Sequence, residues 1–75
     1  MIFETVRDIL AKQFDLDPDS ITMDTDIIDD IGADSLDVVE LIMSLEDDYG
    51  VRISDDRAKE LTSVAKIVEF LEHLA

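Results

Sequence analysis

Residues 32–37, Gly-Ala-Asp-Ser-Leu-Asp, set one serine hydroxyl between two carboxylates, just behind a glycine and at the head of the longest helix-periodic stretch of the chain. A serine in that setting can be a nucleophile, a helix cap or a point of attachment. A nucleophile needs a neighbouring base held by a third group. The sole histidine is His73, near the other end of the sequence, and nothing around Ser35 resembles the strand–turn–helix of a nucleophile elbow. No catalytic residue is therefore assigned. A cap is not needed either, because Asp34 is an adequate N-cap and Asp37, three residues on, stands in a capping-box relation to it. Ser20, Ser54 and Ser63 are explained by turns or caps and Ser44 lies mid-helix, which leaves Ser35 as the serine without a structural task.

As an acceptor, Ser35 makes physical sense. A phosphodiester formed on it would lie at a helix amino terminus, where unpaired N–H groups and the macrodipole favour negative charge. Asp34 and Asp37 oppose that anion, so another enzyme has to drive the attachment. Gly32 permits a tight turn and Ala33 adds no bulk, so the approach to the hydroxyl is expected to be open.

Apolar spacing gives the elements that must present this serine. Phe3, Val6, Leu10 and Phe14, joined by Ile9, recur at three- and four-residue steps and predict a first amphipathic helix over residues 2–14. Pro18 disfavours helix at the residue before it, so the helix is expected to end in residues 15–18. A second helix is predicted from about residue 34 to Tyr49, stopped by Gly50. Ser54 caps a short helical turn that reaches about Glu60, and a last helix follows Thr62 and Ser63, with Val64, Ile67, Val68, Leu71 and Leu74 on one face. The expected architecture is all-α: a small four-helix bundle with a short third helix and a long loop between the first and second helices. That loop is longer than compact domains usually carry, and Ile21, Ile27, Ile28 and Ile31 are expected to pin it to the bundle.

On an ideal wheel the second helix separates into two sides. Val38, Val39, Leu41, Ile42, Leu45 and Tyr49 form the expected core side; Leu36, Glu40, Met43, Ser44 and Asp47 lie opposite, flanked by Asp37. A charged stripe on a helix is ordinarily only a solvated face, and single exposed apolar residues are common. This helix, however, carries six acids and no base between residues 34 and 48, whereas a helix built only for solubility more often mixes signs. The second side reads as a contact surface.

The whole chain points the same way. Twenty Asp plus Glu against six Lys plus Arg give a formal charge of −14, so nucleic acid and anionic membranes are repelled and a basic partner is attracted. Lys12 and Arg52 have no basic residue between them but thirteen acids, which concentrates the attraction there. High charge with few aromatic residues is also a mark of disorder, but 47% of residues are hydrophobic and they are placed periodically. There is no cysteine, hence no disulfide or thiolate metal site, and any thiol chemistry must use a borrowed thiol. No basic leader precedes a long apolar run. The 75 residues are expected to form one domain, 1–75, monomeric and cytoplasmic.

The run Asp30-Ile31-Gly32-Ala33-Asp34-Ser35-Leu36-Asp37 resembles the phosphopantetheine-attachment motif of acyl carrier proteins. The resemblance extends through the acidic helix DVVELIMSLEDDY and the Ile53-Ser54-Asp55-Asp56 entry to the third helix, and so covers nearly all of the chain; the chain ends where a freestanding carrier would. It implies that Ser35 accepts 4′-phosphopantetheine from coenzyme A through a phosphopantetheinyl transferase, and that the terminal thiol of this arm holds growing acyl chains as thioesters for fatty-acid synthesis enzymes. It implies that Asp34, Leu36, Asp37, Glu40, Met43, Glu46 and Asp47 meet basic docking patches on those enzymes. It also implies that Ile27, Val38, Ile42, Leu45, Ile53, Ala58, Leu61 and Ile67 line the interior that shelters the acyl chain, although ordinary core packing accounts for them equally. Ile31 replaces a commoner leucine, a volume-conserving swap that leaves the motif intact, and Ser54 and Met23 replace frequent prolines; none of these touches the attachment site.

Other readings stay open. Carriers for polyketides or other specialised acyl groups share the motif, and a non-carrier acidic interaction bundle would make Ser35 incidental. A calcium loop counted from Asp24 fails, because its sixth position is Asp29 instead of glycine and its twelfth is Ser35 instead of glutamate. No metal ligand set is assigned, though clustered carboxylates still attract divalent cations weakly. Repulsion among the acids makes a direct prediction: the melting temperature at neutral pH rises with added sodium chloride or magnesium. Thermal scans by circular dichroism across ionic strength check this, and a flat response would contradict it.

Overall fold

The computed structural model describes residues 1–74; Ala75, the last residue of the expected domain, lies outside the described residues. Four helices follow in order: α1 (Ile2–Phe14), α2 (Ser35–Tyr49), α3 (Asp55–Ala58) and α4 (Val64–Leu74), with one 3₁₀ turn (Pro18–Ser20) in the connection before α2. The single β-type feature among the described residues is an isolated antiparallel bridge between Asp26 and Ser63.

Helix α1 buries Val6, Leu10 and Ala11 and half-buries Ile2, Phe3, Ile9 and Phe14 around them. It stops at Asp15, which takes the left-handed conformation (φ 54°, ψ 51°), a geometry that aspartate tolerates better than most residues. The stop is therefore made before Pro18 acts. Pro18 instead opens the 3₁₀ turn, with extended Asp17 before it and the Asp17 side chain accepting from Asp19 N–H at 2.9 Å.

The long connection is fixed by its own carboxylates and by α4. Asp26 Oδ1 accepts from the amides of Ile28 (2.9 Å) and Asp29 (2.8 Å), and Asp30 Oδ2 accepts from Asp26 N–H at 2.8 Å. Two acids of the failed calcium loop are thus committed to a local turn, and no group of His, Cys, Asp or Glu side chains among the described residues is arranged to hold a metal ion. The backbone carbonyls of Met23 and Thr25 accept from Ala65 and Val64, both at 3.0 Å, while Ile27 N–H donates to the Thr62 carbonyl at 2.9 Å. The first two amides of α4, which have no partner within their own helix, are thus satisfied by the loop, and the third, Lys66, donates to the Ser63 hydroxyl at 3.3 Å.

Ile21 and Ile27 are buried and Ile31 half-buried, but Ile28 is 45% exposed. The Asp26 turn aims Ile27 inward, and its neighbour in the turn then faces out. Two other expected core residues are also corrected. Val39 is 53% exposed because it lies at the border of the buried stripe, where Leu41, Ile42 and Leu45 make the contact. Leu74, half exposed, borders an open groove beside Phe70 and His73 in the last turn of α4. Ala33 is corrected in the opposite sense: it is buried and belongs to the core instead of clearing a path at the surface. No polar or charged residue is buried among the described residues.

This packing separates adjacent isoleucines. Ile27→Ala should destabilise the fold by about 2–5 kcal/mol, and Ile28→Ala by less than about 0.5 kcal/mol. Urea unfolding of both variants checks the contrast.

Candidate attachment and docking site

The start of α2 is built from two short polar residues that cap each other. Asp34 is extended (φ −94°, ψ −177°), its Oδ1 accepts from Asp37 N–H at 3.0 Å, and Asp37 Oδ2 accepts from Asp34 N–H at 3.1 Å, so the capping box is closed in both directions. The Asp34 carbonyl takes the Val38 amide at 3.0 Å. Gly32, at φ 80°, supplies the left-handed turn into this cap; a Cβ there would meet nothing within 4 Å, so the backbone angle is what selects glycine. Buried Ala33 then anchors the turn, its amide donating to the Ile27 carbonyl at 3.1 Å.

Ser35 is the first residue of α2 and is exposed. Neither its hydroxyl nor the Ser35 and Leu36 amides at the helix tip have a hydrogen-bond partner among the described residues. An unengaged hydroxyl beside free backbone donors fits a phosphodiester better than a cap. His73 lines the groove on α4 with Lys59, Lys66 and Phe70, apart from this site.

Along α2, Leu36 (67%), Met43 (59%) and Val39 are exposed, with Glu40 and Asp47 exposed among them. Val39 is the surface residue that the wheel assigned to the core. Its angular position was the available signal, since an ideal helix puts it only about 40° from Met43. Asp34 is exposed and Asp37 half-buried, and both are held in the capping box. Glu46 is half-buried and differs from the other acids: its Oε2 accepts from Ile53 N–H at 2.8 Å and so ties α2 to the approach to α3. Ile27, Ile42, Leu45, Ile53, Leu61 and Ile67 are brought together in one buried cluster, with Val38 and Ala58 half-buried against it.

Residues 4–71 match the family model described as the phosphopantetheine attachment site. An acyl carrier protein of Campylobacter hominis is 47% identical over 97% of this chain and 92% of its own length. Another, from Clostridium acetobutylicum, is 44% identical over 96% of this chain and 94% of its own. The chain belongs to the acyl carrier proteins. Its fold agrees, because the solved acyl carrier protein from Enterococcus faecalis superposes with a TM-score of 0.85 at 32% identity, covering 99% of this chain and 94% of the other. Family membership makes the chain a carrier, not an enzyme, and 4′-phosphopantetheine its cofactor. No described helix is long and apolar enough to cross a membrane.

Proposed function

We propose that Ser35 is the attachment residue and that the chain, acting as one domain over residues 1–75, is a monomeric cytoplasmic carrier for fatty-acid synthesis. The observation that carries this reading is the exposed, unpartnered Ser35 hydroxyl at the tip of a helix that Asp34 and Asp37 already cap. When bound, the phosphopantetheine supplies a terminal thiol that holds acyl groups as thioesters. The chain's own part is to present the hydroxyl, to orient the helix tip and to display the face that partner enzymes recognise.

That face combines the apolar side chains of Leu36, Val39 and Met43 with the carboxylates of Asp34, Asp37, Glu40 and Asp47, and Glu46 lies at its edge. Basic docking patches on the transferase and the synthesis enzymes suit it, with charge setting encounter and register and the apolar side chains adding contact. Nucleic acid and anionic membrane do not suit a chain of net charge −14. Residues Ile27, Val38, Ile42, Leu45, Ile53, Ala58, Leu61 and Ile67 are the apolar interior available to an acyl chain, which would have to part contacts that are closed here.

The attachment is tested by intact mass after incubation with coenzyme A and a phosphopantetheinyl transferase active on another carrier. One phosphopantetheine should be added to the wild-type chain and none to Ser35→Ala. Addition to the variant would move the site elsewhere, and no addition to either would return Ser35 to the role of a helix residue.

Docking is tested separately on the loaded protein. Val39→Ser should weaken partner binding by about tenfold if the side chain is buried on contact, and Glu40→Lys should slow association most at low salt. Surface plasmon resonance with a fatty-acid synthesis enzyme reads both; unchanged rates in both variants would remove α2 as the docking face.

A further inference from the structure

One polar group in the bundle has no explanation in capping or docking. Gln13, in the last turn of α1, donates from Nε2 to the backbone carbonyl of Asp37 at 2.8 Å, across 24 residues of sequence, while its Oε1 is shielded from solvent and has no partner. Among the described residues this is the one side-chain hydrogen bond that joins α1 to α2. A shielded oxygen without a partner is a cost, tolerated where something else fixes the group. The second half of the amide does so here.

Asp37 is the residue it holds. The Asp37 carboxylate and amide already form the capping box with Asp34, and its carbonyl, which has two lone pairs, takes Gln13 as well. The two sets of bonds differ in one respect. The box depends on the carboxylates of Asp34 and Asp37, which a basic partner would draw toward itself, weakening their bonds to backbone N–H groups. The Gln13 amide is neutral, comes from another helix and uses the carbonyl instead of the carboxylate. Gln13 is half-buried and lines the groove between α1 and α2 with Thr5, Ile9, Glu40 and Asp47, so it borders the docking face from the α1 side while its bonded amide nitrogen is spent on the Asp37 carbonyl.

We infer that Gln13 is a positioning residue for modification of Ser35: it keeps the first turn of α2 in helical register while a basic enzyme engages the capping carboxylates. This rests on the attachment reading above. In the transfer, the Ser35 oxygen bonds the phosphorus nearer the pantetheine in coenzyme A, the pyrophosphate bond breaks, adenosine 3′,5′-bisphosphate leaves and the serine proton passes to a base on the transferase. A first turn that frays under the enzyme would take the hydroxyl out of line without removing the docking side chains.

The test uses the full chain with Gln13→Met and Gln13→Glu, which keep length but not the donor, Gln13→Lys, which keeps a donor of similar reach, and Ile67→Val as a core variant of comparable stability loss. Steady-state transfer of phosphopantetheine should show kcat lowered by about three- to tenfold in the Met and Glu variants, with the KM for the carrier changed less than about twofold, and restored in the Lys variant. Amide exchange at Asp37 and Val38 should quicken in the same two variants and not in Ile67→Val. Unchanged kcat in the Met and Glu variants, or an equal fall in Ile67→Val, would overturn the inference. If the wild-type chain takes no phosphopantetheine, the attachment reading fails first, and unchanged exchange at Asp37 and Val38 would then remove the hold by Gln13 independently.

Discussion

The amino end of α4 rests on the backbone of the connection that leads to Ser35. Val64 and Ala65 donate to the carbonyls of Thr25 and Met23, and Ile27 returns a bond to Thr62. An unsatisfied helix end would otherwise sit against a wholly apolar core, where unmade hydrogen bonds are costly. One set of bonds thus solves two problems. It completes α4, and it gives a connection of some twenty residues a fixed course past the core, so that Ile21 and Ile27 are buried and the chain arrives at Gly32 in a defined direction. The Ser63 hydroxyl, which accepts from the Lys66 amide at 3.3 Å, caps α4 as well, but a side-chain cap alone would have left the loop to find its own place.

Small size makes this economy necessary. A chain of 75 residues without cysteine has no covalent staple, and its core holds only apolar side chains. Its acids are consequently put to structural use wherever they lie near backbone donors. Asp26 and Asp30 close the turn of the loop, Asp34 and Asp37 close the start of α2, and Glu46 holds Ile53 before the short α3. Carboxylates that look from composition like a uniform negative field divide into those that bond the backbone and those, such as Glu40 and Asp47, that do not and that belong to the docking face proposed here.

The start of α2 concentrates both uses. Asp34 and Asp37 are the cap of the helix and, in the docking face proposed here, two of its charges. A partner that engages them competes with the cap, so the presentation of Ser35 needs support from elsewhere in the bundle. Buried Ala33 on one side and the Gln13 amide on the other give that support without charge. The closeness to the Enterococcus faecalis fold at 32% identity is consistent with an architecture set by where the apolar residues fall more than by which ones they are.

Four helices, their order and most of their limits were legible in the sequence, because helical periodicity, the Asp34 cap and Gly50 are local signals that survive any packing. The attachment motif was legible for the same reason: residues 30–37 are contiguous, and their spacing carries the resemblance. Tertiary structure decided which side of a border residue faces out. Val39 and Ile28 are as apolar as their buried neighbours, and only the narrow contact of α2 with the core and the inward turn at Ile27 leave them exposed. It also decided the partners of groups that meet across long stretches of chain, such as Gln13 with Asp37 and Met23 with Ala65. A hydrogen bond between residues far apart leaves no periodic trace in a single sequence, since either residue alone is an ordinary polar or loop position until the fold places its partner beside it.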